Sequence, residues 1–101
     1  MTISSETLLL CAAALANISF IEPQAVFIVV KLNTLGYLLT AVRKLGVRAS
    51  IFLQEQVATL IANMAAEPDT RPHLAQHRAI GALLCFLQVK HFPLQTDAEI
   101  A

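Results

Sequence analysis

The chain contains no tryptophan and one tyrosine, and only 14% of its 101 residues are charged. Seven basic side chains balance seven acidic ones, so no overall charge draws the chain to nucleic acid or to an anionic membrane surface. We therefore expect no nucleic-acid ligand. Apolar residues make up 56% of the chain, which is a high fraction for a single domain of this length.

The two cysteines, Cys11 and Cys85, occur singly inside apolar helical patterns, with no partner at metal spacing. This pattern is typical of small buried thiols in a reducing compartment, and it predicts a cytoplasmic protein. The segment before the apolar run 8–16 contains Glu6 but no Lys or Arg, so the positively charged N-terminal region of a secretory signal peptide is missing. The longer run 8–32 is interrupted four times, and we expect no membrane insertion because a span needs about 20 apolar residues.

The sequence repeats itself. A stretch ending in Glu67-Pro68 matches an earlier one ending in Glu22-Pro23, and the offset is 46 between Asn17 and Asn63 and 45 after the prolines. The other matched pairs are Ala12 with Ala58, Ala16 with Ala62, Ile18 with Met64, Leu35 with Ile80, Gly36 with Gly81, and Val42 with Leu87. A period in the mid-forties made of short apolar segments indicates a helical solenoid.

Apolar spacing predicts where the first helices lie. Ser4 or Ser5 caps a helix that runs to about Ser19. This helix is apolar on nearly every side, so we expect it to be buried between neighbours. Pro23 begins a second helix, since the N–H that proline lacks has no partner in a first turn.

The segment 26–30 is β-branched and aromatic throughout, and alone it would be read as a strand. Its repeat counterpart at 72–78 has no strand character, so we predict a helix at both places. Thr34 to Leu45 has apolar residues at intervals of three and four, which predicts the next helix. Gly46 suits the left-handed residue that closes it.

Ser50 is the expected cap of a longer helix that runs through Asn63 to about Ala66. We expect Thr70 or Pro72 to open the following unit. Gly81 is then expected to separate a short helix, near 72–78, from an apolar helix at 82–90.

A short helix, a glycine-opened apolar helix and a longer helix with an asparagine before Glu-Pro together resemble the armadillo repeat. That family carries an Ala-x-x-Ala-Leu-x-Asn-Leu type of signature in its third helix, and the residues here are 11–18 and 57–64. The resemblance covers nearly the whole chain. It implies an all-α fold, namely a fragment of an armadillo-type right-handed α-solenoid. The apolar content would then reflect end faces that adjacent repeats of a longer parent chain cover.

The resemblance also implies how the chain is divided. Residues 1–22 would be the third helix of a preceding repeat, and 23–67 one complete repeat. Residues 68–101 would hold the first and second helices of the following repeat and the start of its third helix, with Thr96 or Asp97 as the cap.

In armadillo proteins the third-helix asparagine bonds the main chain of an extended peptide lying in a groove. An amide can satisfy a peptide N–H and a C=O together. Asn17 and Asn63 match that position, and Gln56 and Thr59 lie on or near the same helix face as Asn63. The alternative is that these asparagines bond backbone inside the repeat. The chain lacks the tryptophan that the importin-like binding mode uses.

His73 and His77 are four residues apart, a spacing that can place two imidazoles on one metal ion. The segment His-Leu-Ala-Gln-His lacks the glutamate of a metalloprotease helix, and no third ligand is obvious, so we interpret both as solvent-facing. Neither cysteine has a histidine and an orienting group at recognisable spacing. We predict no enzyme activity, no metal and no cofactor.

Among armadillo proteins, Gln54 to Ala65 is most similar to the Inscuteable family of cell-polarity adaptors, while plakoglobin-like and importin-like families share the repeat. This resemblance implies a role in asymmetric division and spindle orientation, at the cell cortex. We therefore predict a protein-binding adaptor that holds an extended partner segment in its groove. The alternative is a solenoid spacer, or a segment that self-associates through its apolar ends.

Overall fold

The computed structural model describes residues 4–89, and this part of the chain is helical, without β-strands. Within it, six α-helices and two 3₁₀ turns follow one another. The α-helices are α1 (Ser5–Ile21), α2 (Ala25–Lys31), α3 (Thr34–Leu45), α4 (Ile51–Ala65), α5 (Arg71–Gln76) and α6 (Ala79–Val89), and the 3₁₀ turns are Gly46–Arg48 and Pro68–Thr70. The all-α prediction is confirmed, and the expected third helix at Thr96 or Asp97 lies outside the described residues.

Two serines begin the two longest helices. Ser4 Oγ accepts a hydrogen bond from the Thr7 backbone N–H at 3.1 Å, and Ser50 Oγ accepts one from Leu53 at 3.0 Å. Each hydroxyl satisfies an N–H that has no partner inside the helix. Glu6 lies in the first turn of α1, where the helix dipole favours a carboxylate. The predicted caps are confirmed.

α2 and α3 are separated by a bend of 69°, at which Asn33 has left-handed backbone with φ of 55°. The segment with strand propensity is helical, as its repeat counterpart indicated. α3 begins and ends at the predicted residues, and Gly46 closes it with φ of 55°. Glycine adopts this conformation at little cost because it has no Cβ.

A left-handed residue also separates α5 from α6. Arg78 has φ of 56°, and it lies 45 residues after Asn33, so the backbone conformation recurs at the offset found in the sequence. The expectation that Gly81 separates these helices is wrong, because Gly81 is the third residue of α6. The turn is made by Arg78 itself, and the glycine is not needed for it.

The connection from α4 to α5 is held by side chains that bond the end of α4. The buried Thr70 hydroxyl donates to the carbonyl oxygens of Met64 and Glu67, and Arg71 Nε donates to that of Ala65 at 2.9 Å. The last carbonyls of a helix have no partner within it. These bonds therefore satisfy them, and they fix the start of α5 beside the end of α4.

The core is one cluster of buried apolar side chains to which all six described α-helices contribute. Its largest fully buried apolar members are Val26, Leu35, Leu39, Leu53, Val57, Leu60 and Met64. Burial of each such side chain stabilises the fold by roughly 1.5–3 kcal/mol. The middle helices α3 and α4 supply most of this set, so they form the centre of the fold.

α1 is not buried on all sides, and the expectation that it would be is wrong. Its buried residues are Leu8, Ala12, Ala16 and Ser19, and its exposed large apolar residues are Leu10, Ile18, Phe20 and Ile21. Within the described part of the chain α1 packs mainly against α4. One long neighbour can cover only one side of a helix, so the other side stays open.

The two cysteines are also not buried as expected, because both are exposed. Cys11 lies on the uncovered part of α1, and Cys85 lines a surface cavity beside α6. Helices that are apolar all round give no sequence signal for the face that neighbours cover.

No single described helix is long and apolar enough to cross a membrane. Among these helices, only α2 and α3 taken together meet the length and composition of a span, as a pair bent by 69°. Apolar side chains of this pair, among them Val26, Val29 and Leu39, are buried in the core.

Candidate functional site

α1 and α4 form the most extensive helix pair of the described chain, and they are the helices that carry the repeated asparagine. Asn63 Nδ2 donates to the Ala16 carbonyl oxygen at 3.0 Å and to Ser19 Oγ at 2.9 Å. Ser19 Oγ donates in turn to the same carbonyl at 2.9 Å. The C-terminal turns of the two helices therefore meet. Because the helices also pack extensively, they run side by side in the same direction.

This network determines which hydrogen-bonding groups of the Asn63 side chain remain available to a partner. A primary amide has two N–H donors and one carbonyl acceptor. Both bonds from Nδ2 go to α1, while Oδ1 accepts none from the described residues. Asn63 therefore bonds the preceding long helix α1, whereas the alternative stated from the sequence is a bond to backbone inside its own repeat. Its Oδ1 is the atom that it could still offer to a bound peptide.

Asn17 is exposed, and its side chain makes no hydrogen bond to other described residues. One residue advances about 100° around a helix, and Ala16 faces α4. The exposed side chain of Asn17 therefore leaves α1 at about 100° from that of Ala16. Asn17 and Asn63 occupy equivalent positions on successive parallel helices, and within the described residues no hydrogen bond joins their side chains.

The two other predicted groove residues lie on α4. Gln56 is half-buried, whereas Thr59 is exposed and its hydroxyl donates to the Glu55 carbonyl oxygen at 2.8 Å. Both lie near the side of α4 that carries Asn63, because their spacings from it are seven and four residues. The Thr59 hydroxyl oxygen can still accept a hydrogen bond from a partner.

Sequence reasoning missed Phe52, whose side chain is 68% exposed. The exposed residues Phe52, Glu55, Thr59 and Ala62 follow one another at intervals of three, four and three, and so they form one continuous stripe along α4. That spacing, with a phenylalanine in a polar stripe, is the signal that could have found it.

The corresponding stripe on α1 follows from the offset of 46 between the parallel helices. We call the two stripes together the outer face. Its members are Phe52, Glu55 and Thr59 on α4, their counterparts Glu6, Leu9 and Ala13 on α1, and Phe20, which lies seven residues after Ala13 on the same side of α1. Ala62 is left out, because its counterpart Ala16 is buried. Phe20 is 74% exposed, so each of the two helices carries one large exposed aromatic side chain on this face.

The histidine pair is not solvent-facing as expected. His73 and His77 are both half-buried, with ring centroids 4.5 Å apart in an edge-to-face arrangement. His73 Nε2 is buried without a hydrogen-bond partner among the described residues. Burial, and to a smaller extent the charge of His77, lowers the pKa of His73 from 6.5. Within residues 4–89, no three side chains of His, Cys, Asp or Glu are grouped to hold a metal ion.

His77 also contacts α3. A Cβ on Gly36 would lie 2.8 Å from His77 Cε1 and 2.6 Å from Asn33 Oδ1, distances too short for real contacts. Arg43 Nη2 donates to the His77 carbonyl oxygen at 3.0 Å. A methyl group on Gly36 would therefore displace the ends of the Asn33 and His77 side chains, so this glycine leaves room for the following unit and does not make a turn.

A cavity of about 470 Å³ opens between α3, α4 and α6. Its wall includes the apolar side chains of Leu39, Val42 and Phe86 and the guanidinium-bearing residues Arg43 and Arg78. The described residues that line it form no catalytic constellation, and its character is that of an uncovered apolar surface.

Comparison with known proteins identifies the family. The family model for the C-terminal region of Protein inscuteable matches residues 1–101. The chain belongs to the Inscuteable C-terminal family. The resemblance seen at Gln54 to Ala65 is thereby confirmed at the level of this family.

Two curated relatives of this Inscuteable-family chain are the Protein inscuteable homologs of Homo sapiens and Mus musculus. Each is 30% identical over 99 residues, which is 97% of this chain and 17% of the relative. The chain therefore spans about a sixth of the length of the curated relatives that it matches. No solved structure matches it.

Proposed function

We propose that this Inscuteable-family chain is a protein-binding segment of a non-enzymatic cell-polarity adaptor, and that an extended segment of a partner lies across the outer face of α1 and α4. The observation that carries the proposal is that two parallel helices packed against each other carry the exposed side chains of Phe20, Phe52 and Thr59. Exposed aromatics beside polar acceptors are typical of surfaces that bind protein.

The family supports the adaptor role. The same proposal includes three further claims. The chain acts in spindle orientation, it is part of an armadillo-type array, and it is located at the cytoplasmic cell cortex. The repeat in the backbone, with left-handed residues at Asn33 and at Arg78, supports stacked helical units. The packing of α1 against α4 supports the continuation of one surface across successive units.

The groove residues have different roles in this proposal. Asn63 holds α4 to α1 through Nδ2 and offers Oδ1 to a peptide N–H. Thr59 offers its hydroxyl oxygen, and Gln56 lies beside it at the edge of the helix pair. Phe52 supplies apolar contact. Asn17 would serve the same purpose as Asn63 one unit earlier.

A peptide-display selection on the 101-residue chain, followed by affinity measurement for the selected peptides, tests the proposal. Thr59→Arg places a long cation on the outer face, and we expect it to weaken peptide binding at least about tenfold, equivalent to about 1.4 kcal/mol. Gln76→Arg adds the same charge at an exposed position of α5, and we expect it to leave affinity unchanged.

Equal affinities of the two variants would place the peptide elsewhere and contradict the outer face as the binding surface. Circular dichroism of both variants checks that the helices are retained. If the selection yields no peptide, the alternative of a structural spacer is favoured over a partner-binding groove.

A further inference from the structure

The outer face is open at a place where the described helices already pack. Phe52 and Thr59 lie about 20° and about 40° around α4 from Asn63, because each residue advances about 100°, and Asn63 bonds α1. Both are exposed although α1 packs along this side of α4. Their exposure therefore belongs to the contact between α1 and α4, and it does not depend on where the described residues begin or end.

The polar groups at this place are mainly hydrogen-bond acceptors. The Thr59 hydroxyl donates its hydrogen to the Glu55 carbonyl oxygen at 2.8 Å, so its oxygen is left to accept. Both bonds from Asn63 Nδ2 go to α1, which leaves Oδ1. The ionised carboxylates of Glu6 and Glu55 have no donor, and Gln56 adds one amide that can donate and accept. A partner segment that fits this set brings more donors than acceptors.

Carboxylates flank the exposed Phe52 ring on two sides. Glu6 is the counterpart of Phe52 at the offset of 46, so the two residues lie at the same height on parallel helices, whose axes are about 8–10 Å apart when packed. Glu55 follows Phe52 by three residues and is its neighbour on α4. The members of the outer face include no Lys or Arg. The electrostatic potential that these members produce over the ring is therefore negative.

We propose that the partner segment on the outer face is basic, and that one of its Lys or Arg side chains lies on the Phe52 ring between the carboxylates of Glu6 and Glu55. This inference rests on the proposed function, since it names the chemistry of the partner at the same face. The face of an aromatic ring attracts a cation through its quadrupole, and charge complementarity selects a partner and speeds its association. Thr59 and Asn63 then accept hydrogen bonds from N–H groups of the same segment.

The second exposed ring sets how far the basic residue lies from an apolar one. Phe20 follows Glu6 by 14 residues, which is roughly 21 Å along α1 at about 1.5 Å per residue. An extended segment covers that distance in about six residues. Leu9 and Ala13, which lie between them on the outer face, carry no charge. The partner segment is therefore expected to carry an apolar residue about six positions from its basic one.

Peptides selected from a random library against the 101-residue chain test this chemistry. We expect the recovered sequences to share a Lys or Arg with an apolar residue about six positions away. Glu6→Gln and Glu55→Gln should each weaken binding of such a peptide about twofold to fivefold, and together about tenfold. Asp69→Asn removes the same charge at an exposed carboxylate outside the outer face, and it should leave affinity unchanged. Raising the salt concentration from about 0.05 to about 0.5 M should weaken binding to the wild type.

Substitutions of Phe52 separate the effect of the ring from that of its apolar surface. Phe52→Leu keeps an apolar side chain but removes the ring, and we expect it to weaken binding of a basic peptide about twofold to fivefold. Phe52→Tyr keeps the ring and should bind as the wild type does. A version of the peptide with Ala in place of its Lys or Arg should bind the wild type and Phe52→Leu equally.

The two proposals can fail separately. Peptides whose binding is weakened by Thr59→Arg, but which contain no Lys or Arg or bind the double variant Glu6→Gln, Glu55→Gln as they bind the wild type, overturn the basic partner and leave the outer face in place. Binding that is unchanged by Thr59→Arg contradicts the outer face itself, and a selection that recovers no peptide contradicts both. Glu6 lies in the first turn of α1, so thermal unfolding of Glu6→Gln checks that losing the helix-dipole interaction has not unfolded the chain.

Discussion

α1 and α4 carry one sequence pattern but have different surroundings. Both begin at a serine cap, and both carry an asparagine after alanines at four-residue spacing. α4 buries six residues and is covered on several sides, whereas α1 exposes large apolar residues opposite its contact with α4. The difference shows that one apolar pattern occurs both in a helix with several neighbours and in a helix that packs mainly against one among the described residues, so the pattern does not tell how many sides are covered.

The largest effect expected from this comparison is at a pair of leucines on the two helices. Leu60 of α4 is fully buried, and Leu10 of α1 is 69% exposed. We expect Leu60→Ala to lower the free energy of unfolding by about 2–5 kcal/mol, because it removes buried apolar surface and leaves a cavity. Leu10→Ala should change it by about 0.5 kcal/mol or less. Urea denaturation at a concentration where the chain is monomeric measures both.

Similar costs at the two positions would mean that the open side of α1 is covered in solution. Repeating the measurement at high concentration then sharpens the comparison. If copies assemble through that side, the cost of Leu10→Ala grows with concentration, whereas that of Leu60→Ala does not.

The second comparison is between the two asparagines. Asn63→Ala removes both hydrogen bonds to α1, and we expect a loss of about 1–3 kcal/mol in the free energy of unfolding. Asn17→Ala removes an exposed amide that has no hydrogen-bond partner among residues 4–89, so its effect on the monomer should lie within about 0.5 kcal/mol.

A double-mutant cycle of Asn63→Ala with Ser19→Ala assigns part of that loss to the bond between the two side chains. Residues that share a hydrogen-bond network couple by about 0.5–3 kcal/mol. Strictly additive effects would contradict the network and indicate that the Asn63 amide faces solvent.

Much of the fold was predictable because local signals agreed. The serine caps, the bounds of α3 and its closure at Gly46 follow from residues adjacent in sequence, and the repeat corrected the strand propensity of residues 26–30. What could not be predicted depends on contacts between units. Neither the donors of Asn63, which go to residues 44 and 47 positions away, nor the contact of His77 with Gly36 leaves a local pattern.

The third comparison is between the equivalent glycines of α3 and α6. A methyl group on Gly36 would displace the side chains of Asn33 and His77, whereas one on Gly81 would meet open space within the described chain. Alanine is favoured over glycine inside a helix by about 1 kcal/mol, and crowding a packed site costs about 1–3 kcal/mol. We therefore expect Gly81→Ala to raise the free energy of unfolding and Gly36→Ala to lower it.

Thermal unfolding of the two monomeric variants checks this opposite sign. Stabilisation by both would show that His77 moves aside at little cost.

The smallest expected effect is a dependence of the free energy of unfolding on pH, caused by His73 of α5. The equivalent helix α2 has no such group, because the counterpart of His73 there is Ile28. Burial and the neighbouring His77 lower the folded pKa of His73 from 6.5, so the unfolded chain binds this proton more readily than the folded chain does. The stabilisation that the neutral His73 imidazole contributes is therefore complete above pH 6.5. It is lost as the pH falls through the pKa of His73 in the folded chain. Denaturation midpoints of the wild type should decline over that window, and His73→Gln, which does not titrate there, should flatten the decline. An unchanged slope in the variant would assign the pH dependence to another group.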